Sequence, residues 1–184
     1  STGIFAMILR LNKDFNIQNV KSYRSGVYQF NSLFPAASEI WGVGPIDPMN
    51  SSQIDIFLLT ANRTTLEGKE CYKIGSSQTD IPEFITSIGS SNQKVITGYS
   101  NSYGPGNLYN PFSILINSTH LKFIKSYITN FDTQILASIK TANNQILSVG
   151  FNEGMQKQIY FLRFDPTNGT FIRSFALNTT LESK

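Results

Sequence analysis

One cysteine, one histidine and one tryptophan occur among the 184 residues. A lone cysteine, Cys71, allows no disulfide within the chain. The lone histidine, His120, leaves no Ser-His-Asp triad, histidine acid–base pair or multi-histidine metal site within it. Charge is also scarce: 15 basic and 12 acidic side chains give a net charge of +3, and no stretch gathers more than two Lys or Arg close together. A nucleic-acid surface needs a clustered basic footprint, so no nucleic-acid partner is expected. The longest apolar stretch, Ile4 to Leu9, falls far short of the roughly 20 residues that span a bilayer as a helix, and no membrane insertion is expected. Carboxylates are scattered. Glu67 and Glu70 lie three apart and Asp80 and Glu83 flank Pro82, but neither pair sits in a calcium-loop or glycosidase-like phrase. No metal or cofactor is therefore expected, and the chain does not read as an enzyme; a hydrolase would need groups from residues outside it. Tyr103-Gly104-Pro105-Gly106 has glycines but no following Lys-Ser/Thr, which makes it a long loop rather than a phosphate cradle.

What the chain has in quantity is repetition. Turn-opening residues recur at Asn12, Asn62, Asn117 and Asp165, and apolar runs close on Gly44, Gly98 and Gly150. Both series keep a period of about 50 residues, the range of repeat architectures. Between them fall Ser22-Tyr23, Cys71-Tyr72, Ser126-Tyr127 and Ser174-Phe175, then Ser32-Leu33, Ser87-Ile88 and Ser138-Ile139. On this register repeat one covers 4–53, repeat two 54–110, repeat three 111–156, and a half repeat 157–184. Cys71 stands in a column otherwise filled by serine, which reads as a demand for a small packed residue, and His120 reads as an exposed turn residue. The opening Ser1-Thr2-Gly3, with no initiating Met, is expected to be a processed or truncated start.

The runs IFAMILRL, IDIFLLTA, FSILI and IYFLRF are short, rich in β-branched and aromatic residues, and bounded by Asn, Asp, Ser, Gly and Pro, as strands are. Asp165-Pro166-Thr167-Asn168-Gly169-Thr170 can turn tightly, with Pro presetting φ and Gly taking positive φ. A second hairpin turn is expected at 141–145 and at 90–94 one repeat earlier. Each unit is then four antiparallel strands. Ile146, Ser148 and Gly150 would point to one face and Leu147, Val149 and Phe151 to the other. Neither face is polar, so both need cover.

Arg10-Leu11-Asn12 with Lys21-Ser22-Tyr23, then Lys125-Ser126-Tyr127, then Arg163-Phe164-Asp165 with Arg173-Ser174-Phe175 resemble the phrases of large-period β-propeller repeats of the SBBP and kelch-like kind. The later phrase, a turn and then an apolar run into Gly, is matched by Asn143 to Gly150. The resemblance implies an all-β fold of antiparallel four-stranded repeats, a partial β-propeller of about three and a half blades. Two tandem β-sandwich domains are the alternative. An open arc would need further blades of a longer chain or other protein copies as partners.

Five Asn-X-Ser/Thr sequons, at Asn50, Asn62, Asn117, Asn168 and Asn178, lack Pro at the middle position, which makes them acceptors for N-linked glycans. Asn62, Asn117 and Asn168 fall at the first hairpin turn of successive repeats, where sugar can be attached without burial. Asn50 and Asn178 fall in connections on the opposite face. The expectation is an extracellular or cell-surface, N-glycosylated β-repeat protein with a structural, adhesion or assembly role. A glycan- or other ligand-binding propeller using loop aromatics such as Tyr99, Tyr103, Tyr109 or Phe151 is the alternative.

Overall fold

A computed structural model describes residues 6–23, 29–46, 53–75, 77–89, 92–104, 106–117, 120–154 and 156–178. Among them there is no helix, and fourteen antiparallel strands form four sheets without a closed barrel. In chain order these are β1 (Ala6–Leu11), β2 (Ile17–Tyr23), β3 (Ser32–Pro35), β4 (Glu39–Ile46), β5 (Asp55–Asn62), β6 (Gly68–Ile74), β7 (Asp80–Ser87), β8 (Gln93–Ser100), β9 (Asn110–Asn117), β10 (His120–Ser126), β11 (Asp132–Lys140), β12 (Ile146–Glu153), β13 (Lys157–Asp165) and β14 (Thr170–Asn178). The sheet orders are β1-β2, β3-β4-β5-β6, β10-β9-β8-β7 and β11-β12-β13-β14. The all-β, antiparallel, four-stranded repeat is therefore present. Each four-stranded sheet joins the second hairpin of one sequence repeat to the first hairpin of the next.

Three of the first hairpins, those opened by Asn12, Asn62 and Asp165, share one turn construction. The residue opening the turn accepts, through its carbonyl, the N–H of a residue with positive φ: Phe15 to Asn12, Leu66 to Asn62 and Gly169 to Asp165, at 3.1, 2.8 and 2.9 Å. One residue beyond each turn the second strand bulges, as the register shows: Arg10 faces Asn19, Thr60 faces Glu70, Leu115 faces Phe123 and Arg163 faces Arg173, each beside an unpaired neighbour. A bulge sharpens local twist.

These bulge points correct the register drawn from the letters. Met7 pairs with Ser22 and Phe112 with Ser126, but Cys71 pairs with Leu59 and Ser174 with Leu162. Ser22-Tyr23 and Ser126-Tyr127 thus share one place, and Cys71-Tyr72 and Ser174-Phe175 lie two residues nearer the turn. A shift of two leaves each side chain on its expected face, so the landmark kept its pattern while its depth in the sheet changed.

The chain divides into two compact units, residues 1–85 and 86–184. In the first, the β1-β2 layer lays Ala6 and Ile8 against Phe57, Leu59, Ala61 and Leu66, with Tyr23, Phe30, Ile40 and Ile46 around them. In the second, Val95, Leu115 and Tyr127 meet Ile135, Ile146, Tyr160, Leu162 and Phe164. Burying each such side chain contributes about 1.5–3 kcal/mol. Sheet thus packs on sheet within each unit, a sandwich-like pairing built from the repeat. Asp55–Ala61 of β5 and Asn110–Ile116 of β9 are buried residue after residue, so these strands are covered on both faces.

Two sequence landmarks gain physical reasons. A Cβ on Gly150 would collide with the Gln134 carbonyl, and one on Gly44 with that of Gln29. The closing glycines let a neighbouring backbone come close. The Ser138 hydroxyl lies 2.8 Å from Thr97 Oγ1 and 2.7 Å from Ser148 Oγ, all three buried. This hydroxyl chain spans the two sheets of the second unit, where an unpaired polar group would be costly.

Candidate functional site

Within each unit, the junction between sheets concentrates specific side-chain hydrogen bonds. At the first-unit junction the Tyr23 phenol donates to the Leu66 carbonyl at 2.5 Å, Arg10 Nη1 to the Thr64 carbonyl at 3.0 Å and Asn19 Nδ2 to the Thr65 carbonyl at 2.8 Å. At the second-unit junction the Tyr127 phenol, 2.9 Å from Ser113 Oγ, donates to the Gly169 carbonyl at 3.2 Å. Leu66 and Gly169 are the positive-φ residues that close the first-hairpin turns. One device is therefore used twice: a tyrosine from the preceding layer holds the turn of the next. Burial pushes both phenols' pKa upward, so they remain neutral donors. The letters displayed these tyrosines as a Ser-aromatic landmark but carried no sign of their partners.

Beside each junction is an open groove. The first-unit groove, of 250 Å³, is lined by Tyr23, Phe57, Gly68 and Cys71 among others, and the second-unit groove, of 350 Å³, by Tyr127, Tyr160, Phe171 and Ser174. Those four positions correspond one to one through the strand register. Burial raises the Tyr160 phenol, opposed by its hydrogen bond with Ser174. Ser126 Oγ, at the second groove, is buried without a hydrogen-bond partner.

The sequon asparagines fall as follows. Asn62 ends β5, and its Oδ1 accepts the N–H groups of Thr64 and Thr65 at 2.8 and 3.0 Å. Asn168 lies exposed inside the last hairpin turn, and its Oδ1 accepts the Thr170 N–H at 2.8 Å. In both sequons the oxygen bonds the N–H of the sequon's own threonine, so the turn is held by the oxygen and not by Nδ2, the atom a glycan takes. Asn117 ends β9 and is half-buried like Asn62, with residues 118–119 outside the described set. Asn12, without a sequon, caps its turn in the same way through Asp14 and Asn16. Asn178 closes β14 at the opposite end of its sheet. Asn50 lies outside the described residues.

The other singled-out groups are dispersed. His120 is exposed at the start of β10, and Cys71 is exposed, so close packing does not explain a small residue there. Glu67 and Glu70 are both exposed, while Asp80 is buried and Glu83 half-buried on β7. Asn31 Nδ2 donates to the Pro82 carbonyl and to Glu83 Oε2 at 2.7 and 3.3 Å, and burial pushes the Glu83 carboxyl up to about 7. Among the described residues no three His, Cys, Asp or Glu side chains are placed to hold a metal. The loop aromatics pack on their neighbours: Tyr99 on Tyr109 and Tyr103 on Phe112, edge to face, while the Lys157 ammonium lies over Phe151.

One sheet in each unit, β1-β2 in the first and β11–β14 in the second, carries exposed apolar side chains on one face. On β1-β2 the open face carries Met7, Leu9 and Leu11 with Val20 and Ile17, all exposed. Their counterparts one repeat on are Phe57, Leu59 and Ala61, and in the last sheet Tyr160, Leu162 and Phe164, all buried. On β11–β14 cross-strand pairing puts Val149, Phe161 and Phe175 in one row and Phe151, Ile159 and Leu177 in the next. Ile159, Phe175 and Leu177 are exposed there, and Phe161 stacks on Phe175 with ring centroids 4.6 Å apart. Compared with protein-family models and with curated proteins, the chain matches none.

Proposed function

We propose that this chain is a non-catalytic, N-glycosylated extracellular β-repeat protein whose layers serve assembly or adhesion, a propeller-type repeat of the SBBP or kelch-like kind. The observation that carries the reading is the pair of open apolar faces. Each presents side chains whose counterparts elsewhere in the repeat are buried, and contiguous apolar patches of this kind mark interaction sites. Sequon placement supports the compartment, since Asn62, Asn117 and Asn168 all fall at first-hairpin turns.

Expression through a glycosylating secretory route tests the compartment. Asn62, Asn117 and Asn168 should gain mass that an N-glycan-specific amidase removes, and Asn12 should not. Bare asparagines at all three turns would refute the extracellular assignment. A second reading, ligand binding, draws on the corresponding grooves beside Tyr23 and Tyr127. Oligosaccharides that shift the resonances of Tyr160 and Ser174 would favour it.

A further inference from the structure

The open faces differ from ordinary exposed apolar residues because each junction inside the chain displays what covers a face of that type. We propose that the β1-β2 layer of one copy docks on the β11–β14 sheet of a second copy, head to tail, repeating the contact that each unit already makes internally. This rests on the assembly reading above and names its partner.

The correspondence is position by position. In the first unit, Ala6, Ile8 and Arg10 of one layer face Phe57, Leu59 and the 62–67 turn of the next, and Leu66 is wholly buried among them. Along the open face of the last sheet the same three places hold Ile159, Phe161 and Arg163, and the place of Tyr23 holds Leu177. Along the open face of the first layer the places of Phe57, Leu59 and Ala61 hold Met7, Leu9 and Leu11. The place of Leu66 holds Phe15.

Phe15 is the most telling residue. It has φ of 62°, a conformation in which a bulky side chain is a genuine outlier, yet the residue is 82% exposed. At that exposure the described residues offer the side chain little packing; Gly169 fills the same place in the last hairpin. Docked as Leu66 is, the ring would sit on Ile159, Phe161 and Leu177 of the second copy, while that copy's Arg163 would reach the carbonyls of the 12–16 turn as Arg10 reaches Thr64. The contact is heterologous: two different faces meet, and each copy keeps one of each.

Phe15→Asn is a clean perturbation because asparagine tolerates positive φ, so the hairpin should be unharmed or stabilised. Leu177→Glu sets a carboxylate on the opposite face, on an exposed position of an edge strand. Sedimentation velocity on the intact chain should show wild-type protein associating, and either variant should weaken that association by about tenfold or more, as loss of a buried anchor does. An equimolar mixture of the two variants should form a one-to-one dimer and nothing larger, since each retains the face the other lacks. Three results would overturn the proposal: association unchanged in Phe15→Asn, self-association of Leu177→Glu at wild-type strength, or no dimer on mixing. If wild type associates while Phe15→Asn is indifferent, the head-to-tail contact fails and the assembly reading stands. A wild-type chain that never associates removes both.

Discussion

Replacing Tyr127 by Phe removes one hydroxyl and separates two accounts of the layer junction. If the junction is held by apolar packing alone, the ring remains and little changes. If the phenol is a tie, its loss leaves Ser113 Oγ, 2.9 Å away and fully buried, without that partner, and deprives the Gly169 carbonyl of its donor. An orphaned buried polar group costs about 1–3 kcal/mol. Taking about 2 kcal/mol for Tyr127→Phe, the melting temperature of a chain this long should fall by roughly 4–8 °C. Tyr23→Phe gives up a single bond to the Leu66 carbonyl on a less buried ring and should cost about 1 kcal/mol. Adding Ser113→Ala to Tyr127→Phe should recover part of the loss, because it removes the orphan; the double-mutant cycle would then display coupling. Chemical denaturation of the four proteins measures this. A Tyr127→Phe variant as stable as wild type, with additive double-mutant energies, would refute the tie.

Gly150→Ala should destabilise by about 3 kcal/mol or prevent folding, since its methyl would enter the Gln134 carbonyl and both neighbours are backbone, which cannot swing aside; thermal melting reads the loss. Glu83 has its carboxyl raised to about 7 by burial, so the folded state holds a proton the unfolded chain releases at about 4.3. That contribution to stability is complete below the unfolded value and is lost as pH rises through the folded one. Glu83→Gln should flatten the decline in melting temperature between about pH 5 and 8, and an unchanged pH profile would dissociate Glu83 from it.

Much of this fold was legible because antiparallel repeats advertise their turns. Asn12, Asn62, Asn117 and Asp165 open the first hairpins as their spacing implied, and Gly44 and Gly150 mark close backbone approach. The depth of the second strands was not legible. Loop lengths differ between repeats, and a two-residue offset keeps the alternation of faces, so Cys71 and Ser126 seemed to share a place they do not. Positive φ at Phe15 and Leu66 was hidden because neither residue type prefers it. The tyrosine ties were half visible: their letters repeat, but a hydrogen bond to a turn carbonyl some 40 residues away leaves no local pattern. Sheet phase was ambiguous for a related reason, as turns look alike whether they fall at the middle or the edge of a sheet.

The proposed assembly joins copies of this repeat through the open apolar faces of β1-β2 and β11–β14. Its most direct test is the mass of the unmodified 184-residue chain in solution over a wide range of concentration. The layered account predicts species heavier than the 20.5 kDa chain, growing with concentration and dissociating on dilution. A single 20.5 kDa species throughout, melting cooperatively, would contradict it.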